Sequence, residues 1–273
     1  MTTRDRYIHG TDPAEQARLS LLNDLLNGRC LAQLSLRGGE RILDVGAGLG
    51  QLTRAMARAA GVPAVGVERS AEQLEGARAR AGEAGEAALV DFRAGDAGAL
   101  PLAPAEVGTF DVVHTRFLLE HVADPLGVVQ GMVRAARPGG RIVLCDDDHD
   151  LLRLHPEPPG VQAAWDAFVR SYDRNGNDPF VGRRLPALLH AAGAKPRQIA
   201  WVFFGACAGD PTFPHYVANL AHNLRGAAAA IVATGALDQR ALEDAVRALE
   251  GWGQRPDAAL WYGMAWAEGV KPS

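Results

Sequence analysis

An apolar run that leads into three alternating glycines constrains the fold of this chain more than any other feature. The stretch 41–52 reads RILDVGAGLGQL, with Gly46, Gly48 and Gly50 at alternate positions, and a helix-like segment, QLTRAMARAA, follows at once. The order strand, glycine turn, helix is typical of open α/β sheets, which bind ligands at the carboxyl ends of their strands, where backbone N–H groups face a crevice. Glycine is favoured there because a Cβ would obstruct the backbone angles of the turn and the approach of a ligand. We therefore predict a ligand site at this turn.

The glycine spacing and one acidic residue narrow the choice of ligand. A dinucleotide turn reads Gly-x-Gly-x-x-Gly, whereas the third glycine here comes one residue early, and Gly50-Gln51-Leu52 lacks the lysine of a phosphate loop. Asp44 precedes the first glycine by two positions. A carboxylate there repels a pyrophosphate but suits the ammonium and sulfonium groups of S-adenosylmethionine. The pattern Asp44-x-Gly46-x-Gly48-x-Gly50 resembles the first motif of the class I S-adenosylmethionine-dependent methyltransferases.

Two acidic residues at later strand ends extend this resemblance. Glu68 ends the predicted second strand, AVGVERS, 18 residues after Gly50, and a carboxylate at that position can accept hydrogen bonds from both ribose hydroxyls. Asp96, followed by Ala97, ends the predicted third strand. It matches the family position whose carboxylate accepts from the adenine amino group.

Three more segments match the family in the expected order. The fourth strand, TFDVVHT, contains the Phe110–Val113 segment of the fourth motif. Glu120-His121 and Asp124-Pro125 resemble the "EH…DP" segment of the small-molecule branch, and Arg137-Pro138-Gly139-Gly140 resembles the turn that precedes its fifth strand.

The resemblance implies S-adenosyl-L-methionine as the cofactor. It also implies an α/β fold with a doubly wound, mostly parallel, seven-stranded sheet, the Rossmann-like methyltransferase fold, with helical lid and cap insertions. The residues that we expect at the cofactor are Tyr7, Asp44, Gly46, Ala47, Gly48, Gly50, Gln51, Glu68, Arg69, Asp96, Ala97, Thr115 and Arg116.

Hydrophobic periodicity and turn residues divide the chain into six predicted parts. They are an N-terminal lid of two helices (1–38), the cofactor-binding core (39–150), a cap insertion (151–180), a core helix and strand (181–208), a helical cap (209–256) and the last core strand (257–273). The sixth strand is predicted within KPRQIAWVFFGACAG and the seventh within ALWYGMAWAEG. One helix is predicted over PTFPHYVANLAHNLRGAAAAIVAT.

Composition excludes several partners. The net charge is −4, so the chain has no electrostatic footprint for nucleic acid. Its first residues are too polar for a signal peptide, and no stretch has the apolar length of a membrane span. Cys30, Cys145 and Cys207 fit neither a disulfide framework nor zinc spacing. We expect a cytoplasmic protein with a small-molecule acceptor and no nucleic-acid or membrane partner, and a homodimer remains open.

Methyl transfer from a sulfonium needs little from catalytic side chains, because the leaving group is neutral and already activated. Positioning of the acceptor and exclusion of water supply the acceleration, and a base is optional. His121, just past the fourth strand, is the first candidate base, and His149 is the second. In many relatives the Glu-His pair is structural, so that alternative stays open.

The segment 145–150, CDDDHD, is unusual because it contains four aspartates in six residues. Oxygen-rich clusters can bind Mg²⁺, but metal-dependent relatives place an aspartate where this chain has His114-Thr115-Arg116. We therefore expect no metal. Asp146 is a candidate to receive a cationic or hydroxylated substrate, and a solvated turn with helix-capping aspartates is the alternative.

The sequence thus predicts S-adenosylmethionine-dependent methyl transfer to an oxygen or nitrogen of a small, partly hydrophobic metabolite, such as a natural product. Alternatives are carbon methylation of a quinone or polyketide and a non-methylating cyclase or isomerase that binds S-adenosylmethionine. A nucleotide-dependent oxidoreductase is disfavoured by the glycine spacing and Asp44. A nucleic-acid methyltransferase is disfavoured because the fourth strand ends His-Thr-Arg-Phe, without an Asn/Asp-Pro-Pro-aromatic motif.

Overall fold

A seven-stranded sheet forms the framework of the chain. The computed structural model describes residues 13–172 and 176–273. Its strands are β1 (Ile42–Val45), β2 (Ala64–Glu68), β3 (Val90–Ala94), β4 (Phe110–Arg116), β5 (Ala136–Asp146), β6 (Arg153–His155), β7 (Lys195–Phe203), β8 (Ala206–Cys207), β9 (Ala259–Trp261) and β10 (Gly263–Val270). The strand order of the large sheet is β3-β2-β1-β4-β5-β10-β7. Strands β1 to β5 pair in parallel, and β10 is antiparallel to β5. The predicted doubly wound, mostly parallel, seven-stranded sheet is confirmed.

Helices separate most of the strands along the chain. They are α1 (Pro13–Leu34), α2 (Gln51–Ala60), α3 (Ala71–Glu83), α4 (Pro125–Ala135), α5 (Val161–Ser171), α6 (Leu185–Ala191), α7 (Phe213–Gly226), α8 (Ala228–Ala233) and α9 (Gln239–Trp252). Within the described ranges, none of the helices combines the length and the apolar character needed to cross a bilayer.

Local sequence explains where the helices of the first βα units begin and end. Leu52, Ala55 and Met56 of α2 are buried at helical spacing, and Gly61 ends the helix in the left-handed conformation with its N–H donated to the Ala57 carbonyl. The Ser70 side chain caps α3 by accepting from the Gln73 N–H. The first helix therefore ends before β2 and the second begins after it, and the parallel pairing of Val45 with Val67 places the turn after β1 beside the end of β2.

The central strands are buried because helices cover them. All four residues of β1 are buried, and the main core cluster joins Leu43 and Val45 to Val113, Met132 and Ile142. Each fully buried aliphatic side chain contributes about 1.5–3 kcal/mol to stability. The site at the strand ends therefore lies at the end of a fully buried strand.

The chain forms two compact units. One contains residues 26–148, 180–202 and 264–273, and thus the seven-stranded sheet apart from the ends of β7 and β10. The other contains, among the described residues, 13–25, 149–172, 176–179 and 203–263, in which β6, β9 and β8 form a three-stranded sheet beside helices α5, α7, α8 and α9.

Several predicted elements differ from the observed ones. The two helices expected before β1 are one continuous helix, α1, because the buried Leu26, Cys30 and Leu34 support it on both sides of the exposed Gly28. The helix predicted over 211–234 is interrupted at Ala227 and forms α7 and α8.

The two predicted late strands are each divided between the sheets. Residues 195–203 join the large sheet as β7 and residues 206–207 join the small sheet as β8. The predicted last strand is interrupted at Tyr262, whose carbonyl accepts from the Phe204 N–H at 2.8 Å, and it yields β9 and β10. Alternating sequence alone does not show which sheet a strand joins.

The Arg-Pro-Gly-Gly segment is part of strand β5, whereas the sequence predicts that this segment is a turn that precedes the strand. Residues 137–140 form a bulge in β5, because Phe110 pairs with Ala136 and Val112 pairs with Arg141. Gly140 is needed there, since a Cβ would lie 2.8 Å from the Phe110 carbonyl oxygen.

Candidate functional site

The glycine turn after β1 folds back onto the end of β2. Gly46, Gly48 and Gly50 all have positive φ, at 80°, 55° and 71°, which favours glycine. The N–H groups of Gly46 and Ala47 both donate to the Val67 carbonyl at 2.9 Å. The turn is therefore fixed by β2 rather than by its own side chains.

Glu68 holds this turn from the neighbouring strand. Its Oε2 accepts from the Gly48 N–H at 2.9 Å, and its Oε1 accepts from the Ser70 N–H at 2.8 Å. A carboxylate can accept about four hydrogen bonds. Glu68 therefore lies at the turn, as the sequence predicts, with acceptor capacity left for two hydroxyl groups.

The glycines of the turn meet different surroundings. A Cβ at Gly46 would lie 3.3 Å from the Leu118 side chain, and one at Gly50 would collide with the Phe92 ring. At Gly48, the one described atom within 4 Å of a Cβ is Oε1 of Gln73, at 3.4 Å. Gly48 therefore has an open side that fits a ligand approaching the bare backbone.

Asp44 is buried beneath the turn, with 3% of its surface exposed. Its Oδ2 accepts from the Thr53 hydroxyl at 2.5 Å, and its Oδ1 lies 2.8 Å from Nδ1 of His114. Because a carboxylate offers only acceptors, His114 donates through Nδ1. Among the described side chains, no lysine or arginine forms an ion pair with Asp44. A buried carboxylate whose described partners are a hydroxyl and an imidazole suits a cationic ligand.

Acidic residues also follow the next strands toward the sheet edge. Asp96, after β3, is exposed, and its Oδ1 accepts from the Gly98 N–H at 2.8 Å. Its Oδ2 lies 4.0 Å from the Arg69 guanidinium. Ala97 is half-buried beside it, and Gln51 is the first residue of α2. Asp44, Glu68 and Asp96 thus mark the ends of β1, β2 and β3.

Thr115 and Arg116, at the end of β4, are both engaged by the protein. The buried Thr115 hydroxyl donates to the Val45 carbonyl at 2.8 Å. The Arg116 guanidinium donates to Sγ of Cys30 at 3.2 Å and to Oδ1 of Asn27 at 3.0 Å. These contacts tie β4 to β1 and to α1, and their role toward the cofactor stays a prediction.

A thiol pair lies beside Arg116. The hydrogen bond with Cys145, together with the Arg116 charge, lowers the pKa of Cys30 to about 5 against the effect of burial. Burial, and then the hydrogen bond with Cys30, raises the pKa of Cys145. Arg116 therefore favours the thiolate form of Cys30.

Asp146 holds the loop after β4. It is fully buried, and its Oδ2 accepts from the N–H groups of Leu118 and Leu119 at 3.1 and 2.8 Å. Burial, followed by the charges of Glu120 and Asp147, raises the pKa of Asp146. Its observed contacts are backbone contacts, so its predicted part in catalysis remains a prediction.

The two candidate bases lie in different surroundings. His121 is about one-seventh exposed, with Nε2 at 3.3 Å from Oε1 of Glu120. His149 is buried, its Nδ1 lies 3.3 Å from the Tyr262 hydroxyl, and its carbonyl accepts from Nε1 of Trp165. Aromatic rings with centroids 5.3–6.4 Å away surround His149, namely Trp165, Phe168, Tyr172 and Tyr262.

Tyr7 lies outside the described residues. Conversely, sequence reasoning missed Thr53 and His114, both of which contact Asp44, and the unusual backbone of Phe117. Phe117 adopts a φ of 54°, which is rare for a bulky residue. Parallel pairing of the first and fourth strands would have pointed to His114, because it is the register partner of Asp44. The sequence offers no comparable signal for Thr53 or Phe117.

Comparison with known proteins agrees with this geometry. Residues 43–144 match the family described as "Methyltransferase domain". The chain is 37% identical over 155 residues to 27-O-demethylrifamycin SV methyltransferase of Amycolatopsis mediterranei, a match that covers 57% of this chain and 54% of that protein. The chain spans about half the length of the curated relatives it matches.

Solved structures share the fold. A putative methyltransferase (BH2331) from Bacillus halodurans superposes with a TM-score of 0.61 at 17% identity, covering 90% of this chain and 99% of that one. The [4+2]-cyclase SpnF superposes with a TM-score of 0.52 at 21% identity, covering 95% and 81%. At these identities the likeness concerns the fold alone.

Proposed function

Because residues 43–144 constitute a class I S-adenosylmethionine-dependent methyltransferase domain, we propose that the protein methylates an oxygen or nitrogen of a small, partly hydrophobic metabolite. The observation that carries the proposal is the set of carboxylates Asp44, Glu68 and Asp96 at the ends of three adjacent strands. These carboxylates would repel a pyrophosphate but would attract an ammonium or sulfonium and accept from hydroxyl and amino groups.

The three carboxylates and the glycine turn would contact different parts of the cofactor. Glu68 accepts from the ribose hydroxyls while its contact with the Gly48 N–H holds the turn. Asp96 accepts from the adenine amino group, and Asp44 faces the ammonium of the methionine portion. The open side of Gly48 admits the cofactor to the backbone. When bound, S-adenosylmethionine supplies an activated methyl group with a neutral leaving group.

The acceptor would be held in line with the methyl group and shielded from water. His121 is the first candidate to remove the acceptor's proton, because it is partly exposed and its Nε2 lies beside the Glu120 carboxylate. A carboxylate partner can orient an imidazole and favour its protonated form. His149 is the second candidate base.

Resemblance to a natural-product O-methyltransferase supports the choice of acceptor class. The relative from Amycolatopsis mediterranei is named for methylation of demethylrifamycin, and we propose an acceptor of similar character, a hydroxylated, largely apolar natural product. The fold is also that of a [4+2]-cyclase, so the reaction must be tested by product mass.

The test uses S-adenosylmethionine that carries a trideuterated methyl group. The protein is incubated with it and with a panel of hydroxylated and aminated aromatic and polyketide compounds, and the products are analysed by mass spectrometry. The proposal predicts a product that contains one trideuteriomethyl group on oxygen or nitrogen. A label on carbon, or conversion without a change in mass, would instead support the C-methyltransferase or the cyclase alternative.

A further inference from the structure

The carboxylate of Asp44 is fixed in place by two side chains from different elements. Thr53 comes from the first turn of α2, and His114 comes from the middle of β4, where it is the register partner of Asp44. Each donates to a different oxygen, at 2.5 and 2.8 Å. All three residues are at least nine-tenths buried. The carboxylate plane is therefore set by the fold and not by solvent.

If its role were only structural, this buried cluster would lower the stability of the fold. Burial of a carboxylate costs several kcal/mol unless charge and hydrogen bonds compensate it, and the described side chains place no lysine or arginine against Asp44. Buried polar clusters can often be replaced by apolar residues without loss of stability. A ligand cation that faces Asp44 would explain why this polar cluster is present.

The second ring nitrogen of His114 supports a role in orientation. Nε2 is buried and has no hydrogen-bond partner among the described residues, and the ring lies 6.3 Å from that of Trp266. Among the described residues, the hydrogen bond to Asp44 is therefore the one polar contact of the His114 ring. A residue needed only to fill space on this sheet face would not need a donor at Nδ1.

We propose that Thr53 and His114 are positioning residues that preorganise Asp44 for the α-ammonium of the methionine portion of the cofactor. This inference rests on the proposed function. Two fixed donors hold the carboxylate in one rotamer, so the ligand ammonium finds its partner already oriented and the protein loses no side-chain entropy on binding. The adenosine portion of the cofactor does not use this contact.

The affinities of two ligands distinguish positioning of Asp44 from general support of the fold. S-adenosylhomocysteine carries the amino-acid portion, whereas 5′-methylthioadenosine lacks it. We expect Thr53→Val and His114→Phe each to raise the Kd of S-adenosylhomocysteine by about tenfold, as loss of a hydrogen bond to a charged group implies. The Kd of methylthioadenosine should change less than about twofold, well under 1.4 kcal/mol.

Rescue and control variants complete the experiment. In His114→Asn the amide nitrogen can replace Nδ1, so affinity for S-adenosylhomocysteine should recover although the smaller side chain leaves a cavity and lowers the Tm. Thr109→Val removes a similar hydroxyl, which donates to the Glu106 carbonyl at 2.7 Å, and should leave both affinities unchanged. With substrate, Thr53→Val should raise the KM for S-adenosylmethionine and leave kcat nearly unchanged, because the contact is the same in ground and transition states.

The outcomes are distinguishable. Equal weakening of both ligands in Thr53→Val and His114→Phe would show that these residues support the fold of the whole site and would overturn the inference. Unchanged affinity for S-adenosylhomocysteine in folded variants would overturn it as well. If the wild-type protein bound neither ligand, the proposed function itself would fail.

Discussion

The ring of Phe92 fills the space that a side chain at Gly50 would need: a Cβ there would collide with Cζ and come within 2.8 Å of Cε1. Gly48, two residues earlier, has an open side instead. Both residues have positive φ. The same motif therefore uses one glycine for packing and one for access.

Alanine at these two positions should have different consequences. Both substitutions place a Cβ at positive φ, which costs about 1–2 kcal/mol. Gly50→Ala adds overpacking against Phe92, worth about 1–3 kcal/mol, and should lower the free energy of unfolding by more than Gly48→Ala does. Urea unfolding measures the difference, and equal losses would mean that Phe92 moves aside freely.

Gly48→Val should abolish binding of S-adenosylhomocysteine while the fold remains largely intact. The longer side chain extends into the space where the cofactor is expected to meet the backbone. Calorimetry measures the affinity, and circular dichroism confirms the fold. Normal affinity in this variant would show that the turn does not line the cofactor site.

Glu68→Ala should weaken cofactor binding by about 1–3 kcal/mol through the lost ribose hydrogen bonds. Part of the effect would come from the freed Gly48 and Ser70 N–H groups. Glu75→Ala, on the exposed side of α3, removes the same charge nearby and serves as the control. If both variants bound S-adenosylhomocysteine like the wild type, Glu68 would not face the ribose.

The lowered pKa of Glu106 predicts that the free energy of unfolding depends on pH. Hydrogen bonds from Arg93, and then from the Ala103 N–H, lower the pKa of Glu106 to about 2. Because the folded-state pKa is lower than the unfolded-state value, the carboxylate stabilises the fold fully above pH 4.5 and loses this effect as the pH falls through 2.

Glu106→Gln should therefore lower the Tm at pH 7 and differ much less from the wild type near pH 2. Asp257→Asn removes a carboxylate whose partner, Arg255, lies two residues away on the surface, and it should have little effect at either pH. A Tm difference between Glu106→Gln and the wild type that did not depend on pH would contradict the assignment.

His121→Asn should lower kcat by about 10²–10⁴ without a change in affinity for S-adenosylhomocysteine, if His121 takes the acceptor's proton. His215→Asn, at an exposed position of α7, is the matched control. If His149→Asn lowered kcat to a similar extent and His121→Asn had a normal kcat, His149 would be the base instead. Full activity in both variants would show that methyl transfer here needs no histidine base.

The sequence predicts the sheet and the turn because their signals are local. Apolar runs and alternate glycines lie within one βα unit, and Glu68 ends the next strand, 20 residues after Gly48, so its placement beside Gly48 follows from the length of one helix and one strand. The contact of Asp44 with His114 joins residues 70 apart along the chain, so it depends on the strand order. Thr53 lies nine residues after Asp44, and its contact depends on how α2 packs against β1.

The partition of the late strands could not be predicted for a similar reason. Gly205 lies between β7 and β8, where a Cβ would collide with the Leu260 carbonyl oxygen. Both strands come from one segment that the sequence predicts to be a single strand, but they join different sheets. That choice is made by partners more than 50 residues away in the sequence, such as Leu260, which pairs with Ala206.

A titration of the wild-type protein with S-adenosylhomocysteine and with NADH, followed by tryptophan fluorescence and calorimetry, tests the central claim most directly. The carboxylates at the ends of β1, β2 and β3 predict saturable binding of S-adenosylhomocysteine and none of NADH. Saturable binding of NADH, or no heat with S-adenosylhomocysteine, would contradict it.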